Sequence, residues 1–436
     1  KKTPIMKKAL TVLSSIIIVL FILALYGWMV NQIGTGKKKF GFLTEPIKFM
    51  YSFPDLFKTS VKEVKTLPKT FIPTPKNFKP VNKLNKDLNV LISYSNKKDN
   101  RSIVLMNLKN DSILKSWDIE NPFKKTNRIW HPILYPDGSL LYKLDDEQSG
   151  LIMQGPDGKI IWKNKKVIPH HSMNLNKEGD IWSCTNRRWM SGGQYYLAGE
   201  EVRYNDFRIT KYEKETGKIL FDKSITEILA ENNIGNYVLK TNISKDPLHL
   251  NDVEPALKTT EFYQEDDVFL SLRNISVILH YRPSTNELID VIEGPFIHQH
   301  DVDFLNDSTL VLFNNNTFKN WSGQHVAKTH KLKNPKEVVK AGTFQSNLMS
   351  YNLRTKEFKS IGDSVFKAND IHTTTEGLVE FLNKDTYFVE EQNSGLLWVI
   401  KNDEVIYKNV IKSQHKGHHH LPNWARVVSH EYSSNL

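Results

Sequence analysis

Cysteine is almost missing from this 436-residue chain: Cys184 stands alone, so an internal disulfide is excluded. Stability must come from a buried core, and 39% apolar with 25% charged residues is ordinary globular composition for one. A lone cysteine suits the cytosol, or a bacterial periplasmic protein that does without disulfides. Arginine is absent from residues 1–86, and acids are scarce there: Glu45, Asp55 and Glu63 face 16 lysines. That stretch therefore carries +13 against +11 for the whole chain, which leaves the rest at −2. A nucleic-acid partner is excluded on this ground, because all the basicity sits beside an apolar segment where anionic lipid head groups would meet it.

Ala9 to Val30 is an uncharged run of 22 residues rich in Ile, Leu and Val. As a helix it would be about 33 Å long, enough to cross a bilayer core. Lys1, Lys2, Lys7 and Lys8 precede it, and Tyr26 and Trp28 lie at its far end, as interfacial aromatics do. The run is too long for an ordinary signal-peptide core and no Ala-x-Ala site follows, so residues 1–36 are expected to be an uncleaved single-pass anchor. Four lysines before the helix against Lys37, Lys38 and Lys39 after it barely decide orientation. Residues 37–86 are expected to be a basic, Pro-rich juxtamembrane linker, in which Phe49, Phe53, Leu56 and Phe57 could form a short interfacial helix.

Long helical patterning is scarce beyond residue 86, and 16 Tyr and 22 Phe lean towards strands. One hairpin pattern recurs six times, at 102–119, 150–163, 207–225, 276–294, 347–363 and 395–410. Each copy has an apolar strand, a turn of Asn, Asp, Gly, Thr or Lys, and a second strand. Six β units spaced by roughly 40–70 residues imply a propeller rather than a sandwich. The expected fold is thus all-β: a six-bladed β-propeller over 87–436, preceded by one transmembrane helix. A seventh blade would require residues 415–436 to supply more than a closing strand.

The segment before each hairpin also repeats, as HPILYPDGSLLY (131–142), HSMNLNKEGDIWS (171–183), HDVDFLNDSTLVLF (300–313) and GLVEFLNKDTYFV (377–389). In a propeller these segments feed the innermost strands, so their first residues lie near the central channel. His171 and His300 align, with Trp130 and Gly377 at that position elsewhere; His249 is expected to take it in the blade between. Three imidazoles at a channel mouth could hold zinc or iron. Alternatively, one could act as nucleophile while others, with Asn or Arg, stabilise a transferred anion. Asn251, two residues past His249, and Arg273, ending the strand DDVFLSLRN, favour the second: a guanidinium clamps a sulfate or phosphate but repels a cation.

These residues resemble the bacterial arylsulfotransferase (arylsulfate sulfotransferase) family. The resemblance is carried by LHLNDV (248–253), DDVFLSLRNIS (266–276) and HQHDVDFLNDSTLVLFNN (298–315), more weakly by HHSMNLNKEGDIW (170–182), and spans roughly 130–400. It implies a six-bladed propeller with its site at the channel, and sulfuryl transfer from a phenolic sulfate donor to a phenol acceptor without a nucleotide, cofactor or metal. The match places a covalent sulfohistidine on His300. His249, Asn251 and Arg273 would bind the sulfate oxygens, and His171 would act as acid or base. The family's secreted members pair through an N-terminal β domain, which here is replaced by the anchor and linker.

Among the remaining histidines, His298 reads as packing, and His170 should face away from His171 on an extended strand. The run His418–His420 alternates faces and has no accompanying Cys or carboxylate cluster. Asp370, His372 and Glu376 precede the last inner strand and are expected near the channel. The leading expectation is a membrane-anchored sulfotransferase with a periplasmic propeller on a bacterial inner membrane. The competing one is a non-catalytic propeller, a subunit or scaffold of an envelope assembly.

Overall fold

The computed structural model describes residues 4–34, 40–44, 46–47, 49–50, 67–95, 100–119, 128–144, 149–186, 194–197, 200–241, 243, 245–317 and 345–428. The chain divides into two units, Lys1–Pro68 and Lys69–Leu436. In the first, Pro4–Gly34 is one helix. Its segment Leu10–Gln32 has 23 residues, a mean hydropathy of 2.6 and no buried part, so it is long and apolar enough to cross a membrane. Phe53, Leu56 and Phe57 lie outside the described residues.

The second unit is a β-propeller of six four-stranded antiparallel blades. Blade 1 comprises Asn423–Val428, Asn89–Ser95, Arg101–Asn107 and Ser112–Asp118, so the C-terminal strand closes the ring from the inside. Blades 2 to 6 follow in chain order, with innermost strands Ile133–Leu134, Ile168–Leu175, Leu250–Pro255, His300–Asn306 and Leu378–Asn383. Residues 415–428 supply a closing strand, not a seventh blade. The linker expected up to Lys86 is shorter, since Phe71–Pro73 pairs with His418–His420 and Val81–Asn82 adds a fifth strand to blade 6. In the histidine run, His419 bonds Thr74 Oγ1 and Ser394 O at 3.0 and 2.8 Å, and His420 packs on Phe71 and Tyr94.

Period-two alternation explains the closed ring. Successive strand residues face opposite sides of a blade, and both sides of every blade are covered by neighbours. In blade 1, Leu91, Ile103 and Leu105 pack against Leu140 and Tyr142 of blade 2. Val90, Ile92 and Val104 instead pack against Phe388 and Val399 of blade 6. Six apolar clusters, one per blade interface, complete the circuit. Cys184 is buried in the cluster between blades 3 and 4, where burial pushes its thiol up to about 12. It is a core residue, far from the thiolate chemistry an active cysteine needs.

Polar latches join the innermost strands. Met173 N donates to His131 Nδ1 (3.5 Å), Val253 N to Ser172 Oγ (3.2 Å), Val302 N to Asp252 Oδ2 (2.6 Å) and Val379 N to Asp301 Oδ2 (2.6 Å). Each bond runs from one blade to the residue equivalent to its own neighbour in the preceding blade, so the latches define the true alignment of the repeats.

Candidate functional site

The residues just before His131, Ser172, Asp252 and Asp301 are Trp130, His171, Asn251 and His300. These are the equivalent positions. The alignment of His171 with His300 and Trp130 therefore holds in the structure, but His249 does not share the position. Asn251 takes it, and His249 stands two residues earlier. The cause is a β-bulge at each strand entry: the register shifts between Pro169 and Met173, between Leu250 and Asp252, and between His300 and Val302. His249 nevertheless reaches the same place, with its Nε2 2.9 Å from Nε2 of His171.

The bulges also re-aim side chains. His171 and His249 have left-handed backbones, with φ of 51° and 53°. One result corrects the expectation that His170 faces away from His171: their rings lie 4.0 Å apart, centroid to centroid. A β-strand alternates faces only while it stays regular, and here it does not.

His171 is held most firmly. Its ring lies near-parallel to those of Trp130, at 4.7 Å and 20°, and Trp424 of the closing strand, at 5.6 Å and 21°, which are themselves 6.5 Å apart. Each such pair contributes about 0.5–1.5 kcal/mol beyond area burial. Its ring centroid is 6.0 Å from that of His300. Arg128 lies over the other side of the group, 4.6 Å from the Trp130 centroid, and pairs with the buried Glu376 at 2.8 Å. Glu376 thus reaches the site, as expected. His372 is buried against Ser346, and Asp370 caps the helix Asp363–Asn369 with a left-handed backbone.

His249 is oriented by Asp246, whose Oδ2 is 2.7 Å from its Nδ1. A carboxylate only accepts, so Nδ1 of His249 carries the hydrogen. The Nε2–Nε2 contact with His171 then shares one proton between two rings. Arg273 is nearly fully buried, and its backbone N donates to His249 O at 3.1 Å. Its Nη1 donates to Asn274 Oδ1 at 2.9 Å. Burial lowers its guanidinium to about 10, while Asp246 and Glu376 act in the opposite direction, so it remains a cation at neutral pH. Asn251 Nδ2 donates to Gln299 O at 2.7 Å, and its buried Oδ1 has no hydrogen-bond partner among the described residues.

His300 is 1% exposed. Its Nδ1 is 2.7 Å from Oδ1 of Asn315, whose Nδ2 donates to the carbonyls of Thr373 (3.0 Å) and Glu376. Two carbonyl acceptors fix which end of the Asn315 amide is nitrogen. Its oxygen must accept from His300, so Nδ1 carries the hydrogen and Nε2 keeps its lone pair. Burial first, then Arg273, hold the His300 imidazolium well below its ordinary range; the Asn315 bond acts the other way. His171 is depressed similarly, by burial and by His170, His249 and His300. Both rings are neutral at physiological pH.

Three residues beyond Asn251, His300 and Gly377 on the innermost strands, Glu254, Asp303 and Glu380 line, with Arg426 and others, a cavity of about 460 Å³. Burial and mutual repulsion push the carboxyls of Glu254 and Asp303 well above the usual range, and burial raises Glu380 to about 7. Arg426 donates its Nη2 to Met173 O and Asn174 Oδ1, and its charge only partly offsets these rises.

Of the five residues singled out in the sequence, His171, His249 and His300 come together, Arg273 acts electrostatically on His300, and Asn251 holds the equivalent position on the innermost strand of blade 4. Asp246, Asn315 and Trp424, which position them, were not singled out. Asp246 three residues before a histidine and Asn315 at the end of the stretch 298–315 are weak local signals; Trp424 comes from a distant segment and has none.

Comparison with solved structures returns remote likenesses. A protein of unknown function from Bacteroides caccae has a TM-score of 0.49 and 11% identity over 79% of this chain and 99% of that one. An inactive virginiamycin B lyase from Staphylococcus aureus has 0.38 and 10%, over 80% and 90%. Likeness this remote carries no functional argument. No curated protein sequence matches the chain. A sequence family, however, does: arylsulfotransferase (ASST) matches residues 133–409, which is more than half of the chain and takes in blades 2 to 6 with His171, His249, Asn251, Arg273 and His300. The chain belongs to the arylsulfotransferase (ASST) family.

Proposed function

We propose that this protein transfers a sulfuryl group from a phenolic sulfate to a phenol through a sulfohistidine on His300, in a propeller tethered to a bilayer by the helix Pro4–Gly34. The observation that carries the reading is the Asn315 bond, which leaves the lone pair of a neutral His300 on Nε2.

In the first half-reaction, Nε2 attacks the sulfur of the donor. The N–S bond forms as the S–O bond to the aryl group breaks, and the phenolate leaves beside the neutral His171–His249 pair as an anion that takes its proton from solvent. The sulfohistidine ring is cationic, and its Nδ1–H bond to Asn315 strengthens as charge develops. In the second half-reaction, the acceptor phenol gives its proton to the same pair and its oxygen attacks sulfur, releasing neutral His300. Arg273 and the amide of Asn251 are the donors suited to the sulfuryl oxygens, whose charge must be met by fixed groups. Asp246 steadies His249 when the pair holds an extra proton, a role in keeping with its 2.7 Å bond.

The basic stretch around the helix favours anionic head groups, and the family resemblance together with four lysines before the helix against three after it supports a periplasmic propeller. The test uses the full chain in detergent with a panel of aryl sulfates, including 4-nitrophenyl sulfate, and a phenol acceptor. Acceptor-dependent release of phenol, abolished in His300→Ala, is expected. Failure of every donor, with the protein folded, would leave the non-catalytic envelope subunit as the better reading.

A further inference from the structure

His170 has no role in the transfer chemistry above, yet the bulged strand turns it into the site. Its ring centroid is 4.0 Å from that of His171 and 5.5 Å from that of His249. One ligand nitrogen from each of the three lies within 4.8 Å of the other two. His170 Nε2 is buried without a hydrogen-bond partner among the described residues. Leaving such an atom unmatched costs about 1–3 kcal/mol, which ordinary packing does not recover.

Three neutral imidazoles with one backed by a carboxylate form the donor set of an open zinc site. Asp246 fixes the His249 tautomer so that Nε2 faces His171, 2.9 Å away. Two imidazole nitrogens at about 2.0–2.1 Å on tetrahedral zinc are roughly 3.3–3.4 Å apart, so the pair must open by only about half an ångström. Burial keeps His170 unprotonated, at about 3.

The charges nearby are mixed. Lys143 opposes a cation, and its ammonium donates to Ser172 O at 3.3 Å. The Asp246 carboxylate favours one. Arg273, the reason to discount a metal from sequence alone, acts on His300 and is set against Asp246 and Glu376.

We propose that His170, His171 and His249 bind a zinc ion, and that zinc there excludes sulfuryl transfer by occupying the two histidines that would handle the phenol's proton. The second half rests on the function proposed above; the first does not. The full chain in detergent, stripped with a chelator, is titrated with zinc against a chromophoric competitor, and its metal content is measured after desalting. One zinc per chain is expected. His170→Ala should weaken binding by more than about 100-fold, beyond the 10- to 100-fold that loss of a merely supporting group causes. His170→Ala should also keep metal-free transfer and escape inhibition by zinc, with His170→Gln as a second variant should alanine unsettle the fold. No stoichiometric zinc in the wild type, or unchanged binding in both variants, would overturn the site. Zinc binding in a chain that transfers no sulfuryl group would leave the site standing and remove only its regulatory meaning.

Discussion

Replacing Asn315 is the sharpest probe of how His300 is prepared. The side chain is fully buried and makes three hydrogen bonds: from His300 Nδ1, and to the carbonyls of Thr373 and Glu376. Asn315→Leu keeps the volume and loses all three, at about 0.5–1.5 kcal/mol net each, so unfolding free energy should fall by roughly 2–4 kcal/mol. The effect on rate is separate. As His300 becomes cationic, its bond to Asn315 is worth about 1.5–3 kcal/mol, and losing it should lower kcat by about 10- to 150-fold. Asn315→Asp retains an acceptor and adds a negative charge. It should keep more activity than Asn315→Leu and move the acid limb of the rate profile upward, because a carboxylate favours the protonated ring. Release of 4-nitrophenol is measured across pH, with folded fraction from denaturant melts. Wild-type kcat in a folded Asn315→Leu protein would refute the role given to this bond, as would equal losses in the two variants.

Two further outcomes concern stability. Gly377, equivalent to His300 in blade 6, has φ of +114°, and a Cβ there would meet the Phe313 ring at 2.7 Å and Thr373 Cγ2 at 2.9 Å. Gly377→Ala should cost about 2–5 kcal/mol from backbone strain and overpacking, read as a lower denaturation midpoint; an unchanged midpoint would show that the blade 5–6 junction yields freely. Glu254, Asp303 and Glu380 have raised pKa values, so they favour the fold in their protonated forms and lose that contribution as pH rises from their unfolded range through about 7 for Glu380. The depressed His171 and His300 work in the opposite sense, losing their contribution as pH falls below about 6.5. Thermal stability should therefore fall between pH 6.5 and 8, by up to about 1.4 kcal/mol per pH unit for each carboxyl, and Glu380→Gln should flatten the slope. A melting temperature that rises over this interval would contradict the assignment.

Much of the architecture was legible because each blade buries both faces of its strands. The resulting apolar strands and polar turns repeat six times, and residues such as Val90 and Leu91 can be assigned to opposite faces by parity alone. What failed is what parity cannot report. One extra residue at a strand entry moves every later side chain, so the bulge before Asp252 hid the equivalence of Asn251 with His300. The left-handed backbone of His171 brought His170 beside it. The strands at Phe71–Pro73 and Val81–Asn82 were read as linker because their partners, His418–His420 and Glu404–Val410, lie more than 300 residues away. Trp424 escaped for the same reason, whereas Asn315, only 15 residues from His300, escaped because its orientation is set by the carbonyls of Thr373 and Glu376 at the entry to the next blade.

The central claim is that His300 Nε2 receives the sulfuryl group. Rapid mixing with 4-nitrophenyl sulfate in the absence of acceptor, followed by quenching and peptide mass spectrometry, tests it directly. The expected result is a burst of 4-nitrophenol equal to one turnover per chain, with the sulfuryl group on the peptide bearing His300. A chain that transfers sulfuryl groups at steady state without a burst, or that carries the adduct on any other residue, would contradict it.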